Sequence, residues 1–395
     1  MGRMPVNRHQ FMLKSGLLRE GFCFFTHPPE KFFSFKSLKI WRMKKRPEIK
    51  ILLRGNEALA EAAISAGCSF YAAYPITPQN EIPEHMSWRM PETGGVFVQA
   101  ESELAAINMV YGAAATGARS MTTSSSPGVS LMQEALSYLA GAELPAVVAN
   151  VQRGGPGLGN ISGSQADYFQ AVKGGGHGDY KLMVYAPYSV QEIRDLTMLA
   201  FDKSDEYRNP AMILADGILG QMMEPVRMTP YKKPRLPKKT WALTGCSGRK
   251  SNVIKSLYMG EGELERRNRR LQDKYRLMRE KETLSHSYRT EDAKAVIVAF
   301  GIAARIAFSA VDALRAKGRK VGLFRPITLF PFPERELEML SGKVKKFLVF
   351  ELNAGQMVED VRLSINGRAK VFSYGRPGGA IVSPEEVAAR IEDIL

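Results

Sequence analysis

From residue 49 onward, short apolar runs alternate with alanine-rich or amphipathic segments, and glycine or proline marks most of the changes. That alternation constrains the fold more than any composition figure. A helix after a strand carries the chain back to begin the next strand in the same direction, so repeated units build a mainly parallel sheet. The pattern reads as a buried strand at 49–53, an alanine-rich helix at 56–66 ended by Gly67, and a strand at 69–73. Strands follow at 95–99 and 119–123, separated by a helix of small residues over 102–116. A helix to about residue 141, a strand at 146–151, and units through 182–185, 190–205 and 211–215 continue it. The fold class expected is α/β.

The alternation pauses at 229–245, where prolines, glycines and lysines gather as in a linker. Residues 262–282 are highly charged but place Leu264, Leu271, Tyr275 and Met278 in one narrow helical stripe, which predicts an exposed or interface helix. The pattern resumes with a strand at 295–300, a helix opened by Gly301, a strand at 321–324 and a proline-rich loop at 326–333. A strand at 347–351 and a closing helix at 384–395 follow. The expected organisation is an extension over 1–45, disordered or upstream of the native start, and an α/β domain over 46–230. A charged linker with a helix over 231–290 then leads to a smaller α/β domain over 291–395.

The formal net charge of +15 is unevenly spread: residues 1–50 carry +9, residues 231–290 carry +11, and the remainder sums to −5. The basic excess belongs to the extension and the connector, which argues against nucleic-acid binding by a folded basic face. Cys23, Cys68 and Cys246 are far apart in sequence. They are too few for an iron–sulfur cluster or a cysteine-rich zinc site, and they suit a reducing cytoplasm. No apolar run reaches the ~18 residues that span a bilayer.

Three constellations could carry chemistry. Tyr74-Pro75-Ile76-Thr77-Pro78 ends a strand with a hydroxyl bracketed by two prolines, each fixing its own φ and restricting the residue before it. Ligands of open α/β sheets sit at such strand ends. A turn without chemistry reads equally well from these residues. Gln99-Ala100-Glu101-Ser102-Glu103 sets carboxylates at a helix start, where they serve as caps or, if desolvated, as proton-exchanging groups. Arg153-Gly154-Gly155-Pro156-Gly157-Leu158-Gly159-Asn160 puts a guanidinium at the sheet edge, suited to bidentate carboxylate or phosphate binding. It lacks the GK[ST] ending of a phosphate loop. His177 and Asp179, in a glycine-rich loop, read as hydrogen-bonding loop residues before catalytic ones. Serines 124–126 read as hydroxyl donors at a strand end.

In this order, YPITP, QAESE, TSSSPG, RGGPGLGN and GGGHGDY resemble the alpha subunit of the 2-oxoacid:ferredoxin oxidoreductases over residues 48–395. The resemblance implies a thiamine-diphosphate pyrimidine-binding-type domain followed by a transketolase C-terminal-like domain. It implies that Glu103 contacts the aminopyrimidine N1′ of the cofactor, with Glu101 the rival, and that Pro75 and Ile76 border it. Thr77 and Arg153 then bind the substrate carboxylate. A beta subunit is implied to supply the diphosphate site, Mg2+ and an Fe–S cluster, alongside a gamma and a ferredoxin-like subunit. Coenzyme A accepts the acyl group and ferredoxin the electrons. Asn80-Glu81-Ile82-Pro83-Glu84 and GGPGLGN resemble subunits acting on 3-methyl-2-oxobutanoate, with the 2-oxoglutarate type and a non-catalytic assembly subunit as alternatives.

Overall fold

In a computed structural model, which describes residues 50–395, the alternation becomes a seven-stranded and a five-stranded sheet joined by a long charged helix. The extension read over 1–45 lies outside the described residues. β1 (Lys50–Arg54) leads into α1 (Gly55–Ser65), β2 (Phe70–Ala73), α2 (Glu81–Glu92), β3 (Val96–Gln99) and α3 (Glu103–Ala115). β4 (Ser120–Ser124) precedes α4 (Ser126–Leu131), α5 (Gln133–Ala142), β5 (Val147–Gln152) and α6 (Tyr168–Val172). β6 (Met183–Tyr185), α7 (Val190–Tyr207), β7 (Ala211–Asp216), α8 (Gly217–Gln221) and β8 (Met223–Arg227) close this half.

After the connector come α9 (Glu263–Lys281), β9 (Ser285–Tyr288), β10 (Ala295–Val298), α10 (Gly301–Ala316), β11 (Val321–Pro326) and β12 (Thr328–Phe330). α11 (Glu334–Lys343), β13 (Lys346–Glu351), α12 (Met357–Ile365), β14 (Lys370–Gly375) and α13 (Pro384–Glu392) complete the chain. The main sheet runs β12-β6-β7-β5-β4-β2-β3 and the second β14-β13-β10-β11-β9. Each is parallel except for one antiparallel edge strand, β12 or β9. Residues of β5 and β7 are buried throughout, as a central parallel strand covered on both faces requires. α3 buries Glu103, Ala106, Ile107, Val110 and Ala114, a single helical face.

Four local expectations change. The strand at 49–53 is not buried: Ile51 and Leu52 are exposed, and β1 pairs antiparallel with β8 in a two-stranded ribbon. Apolar content cannot separate a central strand from a ribbon laid over helices. Here only Leu53 turns inward, toward Ala58, Val190 and Val226. The loop at 326–333 contains β12, short enough to sit between prolines as an edge strand. The helix before residue 141 is two helices that break at Met132. The stripe on α9 buries Leu271, Tyr275 and Met278, whereas Leu264 stays exposed.

Candidate active site

Parallel strands deliver their following loops to one edge, so the segments after β2, β3, β4, β5 and β7 gather at the carboxyl edge of the main sheet. The Tyr74–Pro78 turn is pinned there from two sides. The Pro78 carbonyl accepts hydrogen bonds from Asn56 Nδ2 at 2.9 Å and Gln221 Nε2 at 3.1 Å. Both amides also bond Glu81 at the start of α2. Thr77 is exposed, and its hydroxyl accepts a 3.4 Å bond from Asn80 Nδ2. Arg153 reaches it from the loop after β5: Nη1 donates to the Thr77 carbonyl at 2.8 Å and Nη2 to the Leu158 carbonyl at 3.2 Å. The guanidinium thus binds backbone next to the hydroxyl, while its Nε is buried without a hydrogen-bond partner. Pro75 is exposed and Ile76 half-buried in the same turn.

Glu103 is the first residue of α3, capped by Ser102, whose hydroxyl accepts from Ala105 N at 3.2 Å. Its carboxylate is buried and takes a 3.0 Å bond from Ser124 Oγ at the end of β4. Among the described residues no cation pairs with it. Gly128 lies against this pair, and a Cβ there would collide with both Ser124 Oγ and Glu103 Oε1. Ser125 Oγ, fully buried beside them, has no partner. Glu101, the alternative carboxylate, is exposed. The arrangement offers a shielded acid, an unspent hydroxyl and a closely packed glycine backbone, a donor set that fits a flat heterocycle needing one proton exchanged.

Sequence reasoning missed the residues that fasten these parts. Ser126 accepts the Arg153 N–H at 3.0 Å and donates to Asp167 Oδ2 at 2.6 Å, and Asn150 Nδ2 donates to the same oxygen at 2.9 Å. Burial pushes the Asp167 carboxyl up, against those two bonds. Only the serine run signalled this network. Thr123 Oγ1 donates to buried Gln79 at 2.6 Å and meets Tyr71 OH at 2.6 Å, bracing the strand beneath Thr77. His177 and Asp179 are exposed on another loop, where the imidazole stands edge-on to Tyr138.

A cavity of about 400 Å3 opens beside Thr77. Ile161, Ile218 and Ile381 line it, with Gln221 and backbone at Gly163, Gly217 and Gly379, and no lysine or arginine does. A larger hollow of about 620 Å3 lies at the opposite edge under the connector. Its Arg119 and Lys239 are bound by Asp202 and Asp205 and serve packing.

Residues 61–265 match the sequence family described as pyruvate flavodoxin/ferredoxin oxidoreductase, thiamine diphosphate-binding, and residues 293–387 match pyruvate:ferredoxin oxidoreductase core domain II. The ketoisovalerate oxidoreductase subunit VorB of Methanothermobacter marburgensis is 50% identical over 343 residues, covering 87% of this chain and 97% of the relative. The 2-oxoglutarate synthase subunit KorA of Methanothermobacter thermautotrophicus is 37% identical over 364 residues, covering 85% and 96%. Among solved structures, the 2-oxoglutarate:ferredoxin oxidoreductase from Magnetococcus marinus, with 2-oxoglutarate, coenzyme A and succinyl-CoA bound, superposes with a TM-score of 0.80 at 27% identity. That match covers 88% of this chain and 66% of that one. A split-gene transketolase shares the fold, with a TM-score of 0.52 at 14% identity over 87% and 97% of the two chains.

Proposed function

Because the chain belongs to the 2-oxoacid:ferredoxin oxidoreductase family, we propose that it is the alpha subunit of an enzyme that decarboxylates 3-methyl-2-oxobutanoate to an acyl-CoA, with electrons passing to ferredoxin. Thiamine diphosphate supplies the electron sink for the carbanion that loss of CO2 would leave. Glu103 would hold the proton exchanged with the aminopyrimidine N1′, and its burial without a cation partner suits that task. Pro75 and Ile76 would border the same ring. Thr77 and Arg153 would bind and orient the substrate carboxylate, Arg153 through the terminal N–H groups not spent on the Thr77 and Leu158 carbonyls. Among the described residues no group of His, Cys, Asp and Glu could hold a metal ion. Mg2+, the diphosphate site and the Fe–S clusters would belong to a beta subunit and further partners, gamma and ferredoxin-like. No helix among the described residues is long and apolar enough to cross a membrane, which is compatible with a cytoplasmic complex.

The observation that carries the substrate assignment is the cavity beside Thr77, walled by three isoleucines and free of cations. A branched aliphatic tail fits such a wall. The distal carboxylate of 2-oxoglutarate would be left there without a counter-charge, at a large desolvation cost. The chain co-produced with its partner subunits should therefore reduce ferredoxin with 3-methyl-2-oxobutanoate at a kcat/KM at least ~10²-fold above that with 2-oxoglutarate. A preference for 2-oxoglutarate would overturn the assignment. The chain alone, given every small-molecule reactant, should turn over neither.

A further inference from the structure

The amino-terminal edge of the main sheet carries cations that its carboxylates do not balance. α5 and α7 both end there, at Glu143 and Arg208, each with left-handed backbone. α9 crosses these ends and brings Arg267, Arg270 and Lys274, which approach Glu143 at 2.6, 3.2 and 3.4 Å. Arg208 stands beside them, its Nε bonded to the Glu143 carbonyl at 3.1 Å and its guanidinium stacked 4.5 Å over Trp241. Three cations thus pair with one buried carboxylate, and Arg208 acts on it electrostatically from its backbone contact. Part of that charge has a structural task. Arg267 donates to the Gly141 carbonyl and Lys274 to the Arg208 carbonyl, closing the last turns of α5 and α7. Arg270 has no hydrogen bond of this kind, and the two terminal nitrogens of Arg208 have no partner among the described residues. Burial brings the Lys274 ammonium down to about 8, with Arg267 and Arg208 adding to the effect against Glu143. Burial lowers Arg208 as well, and its cationic neighbours push the same way. Like charges are therefore held together at a cost.

A cavity of about 200 Å3 opens on this group, lined by Arg208, Arg267, Arg270 and Lys255, the last paired with Glu263 at 2.8 Å, together with Glu143, Trp241 and Asn252. We propose that it binds an oxyanion of the phosphate class, with Arg208 and Arg270 as the principal ligands. A dianion would offset the surplus charge, and guanidinium forks match its oxygens in pairs. The space accommodates several water-sized groups, enough for one phosphate. The source is either free phosphate or the phosphate end of a nucleotide.

Thermal melts of the full chain, titrated with inorganic phosphate against chloride at matched ionic strength, test the site. A saturable rise in Tm is expected, because a ligand of the folded state stabilises it by mass action. Arg270→Gln, at a mostly exposed position, should raise the half-saturating phosphate ~10-fold while leaving the ligand-free Tm equal or higher, since one repelled cation is gone. Arg208→Lys, which keeps the charge but loses the fork, should raise it as well. Half-saturation by AMP ~10-fold below that by phosphate would assign a nucleotide as the source. Equal values would assign free phosphate. No saturable rise in the wild type, or wild-type half-saturation in both variants, would overturn the proposal.

Discussion

Glu103 and Gly128 form one device at the scale of single residues. The carboxylate owes its position to the Ser124 hydroxyl and to the missing Cβ of Gly128. Two substitutions separate chemistry from packing. Glu103→Gln keeps shape and the Ser124 contact but cannot exchange the proton proposed for Glu103, so kcat in the assembled complex should fall ~10²–10⁴-fold with Tm nearly unchanged. Gly128→Ala keeps the acid but displaces it, so activity should fall together with a Tm loss worth about 1–3 kcal/mol of overpacking. Turnover by Glu103→Gln at the wild-type rate would transfer the role to Glu101. Burial separates the two carboxylates where the sequence QAESE leaves them equal. The first turn of α3 points Glu103 under Ser124, and Glu101 precedes the helix and faces outward.

Elements show what periodicity can and cannot reveal. Many strands and helices and their order were legible because each needs its own spacing of apolar residues, and the strand-end loops announced the candidate site through Pro, Gly, Thr and Arg, whereas α2, α11, α12 and β14 were not read as elements. Invisible in sequence were the long-range bonds that hold those loops, such as Asn56 to Pro78 and Asp167 to Ser126, since polar pairing across tens of residues leaves no period. The ribbon β1–β8 and the inserted β12 were missed for a related reason: a short apolar run does not state its partner. One tie between elements can be tested by pH. Glu61 on α1 accepts from His85 Nε2 and Arg89 Nε on α2, both at 2.7 Å. The His85 bond, opposed by burial and reinforced by Arg89, holds its carboxyl at about 2 in place of 4.5. A lowered folded-state pKa adds stability that is complete above the unfolded value and disappears as pH falls through the folded one. Glu61→Gln should therefore cost about 1–2 kcal/mol above pH ~5, and the gap in Tm should close between pH ~4.5 and ~2. A gap that stays constant down to pH ~3 would show that the tie is not ionic.

At the scale of the whole molecule, the loop bearing Arg153 is fixed by the other half of the chain. Gln165, fully buried, donates through Nε2 to the Phe300 carbonyl at 2.8 Å and accepts at Oε1 from Leu352 N at 3.0 Å. Its backbone N–H bonds the Leu352 carbonyl at 3.0 Å, and its carbonyl accepts from Asn353 Nδ2 at 2.9 Å. Five residues earlier Asn160 Nδ2 bonds the Gly378 carbonyl at 2.9 Å, and Ile381 lines the cavity beside Thr77. The loop bearing Arg153 is therefore clamped between two sheets, so geometry at Thr77 depends on how the halves meet. Gln165→Leu keeps bulk but leaves a buried N–H and a buried carbonyl unpaired, at roughly 1–3 kcal/mol each. It should lower Tm and, in the assembled complex, raise KM for the 2-oxoacid more than it lowers kcat. Arg305→Ala removes a partly exposed ion pair to Glu224 on the same seam, 2.6 Å long, and should cost at most ~1 kcal/mol with KM unchanged. If Gln165→Leu melted early yet kept the wild-type KM, the loop would be shown to hold its shape without the second sheet. A KM that rises only in Gln165→Leu makes the seam part of the substrate site, because both variants weaken the contact between halves but only one releases the loop.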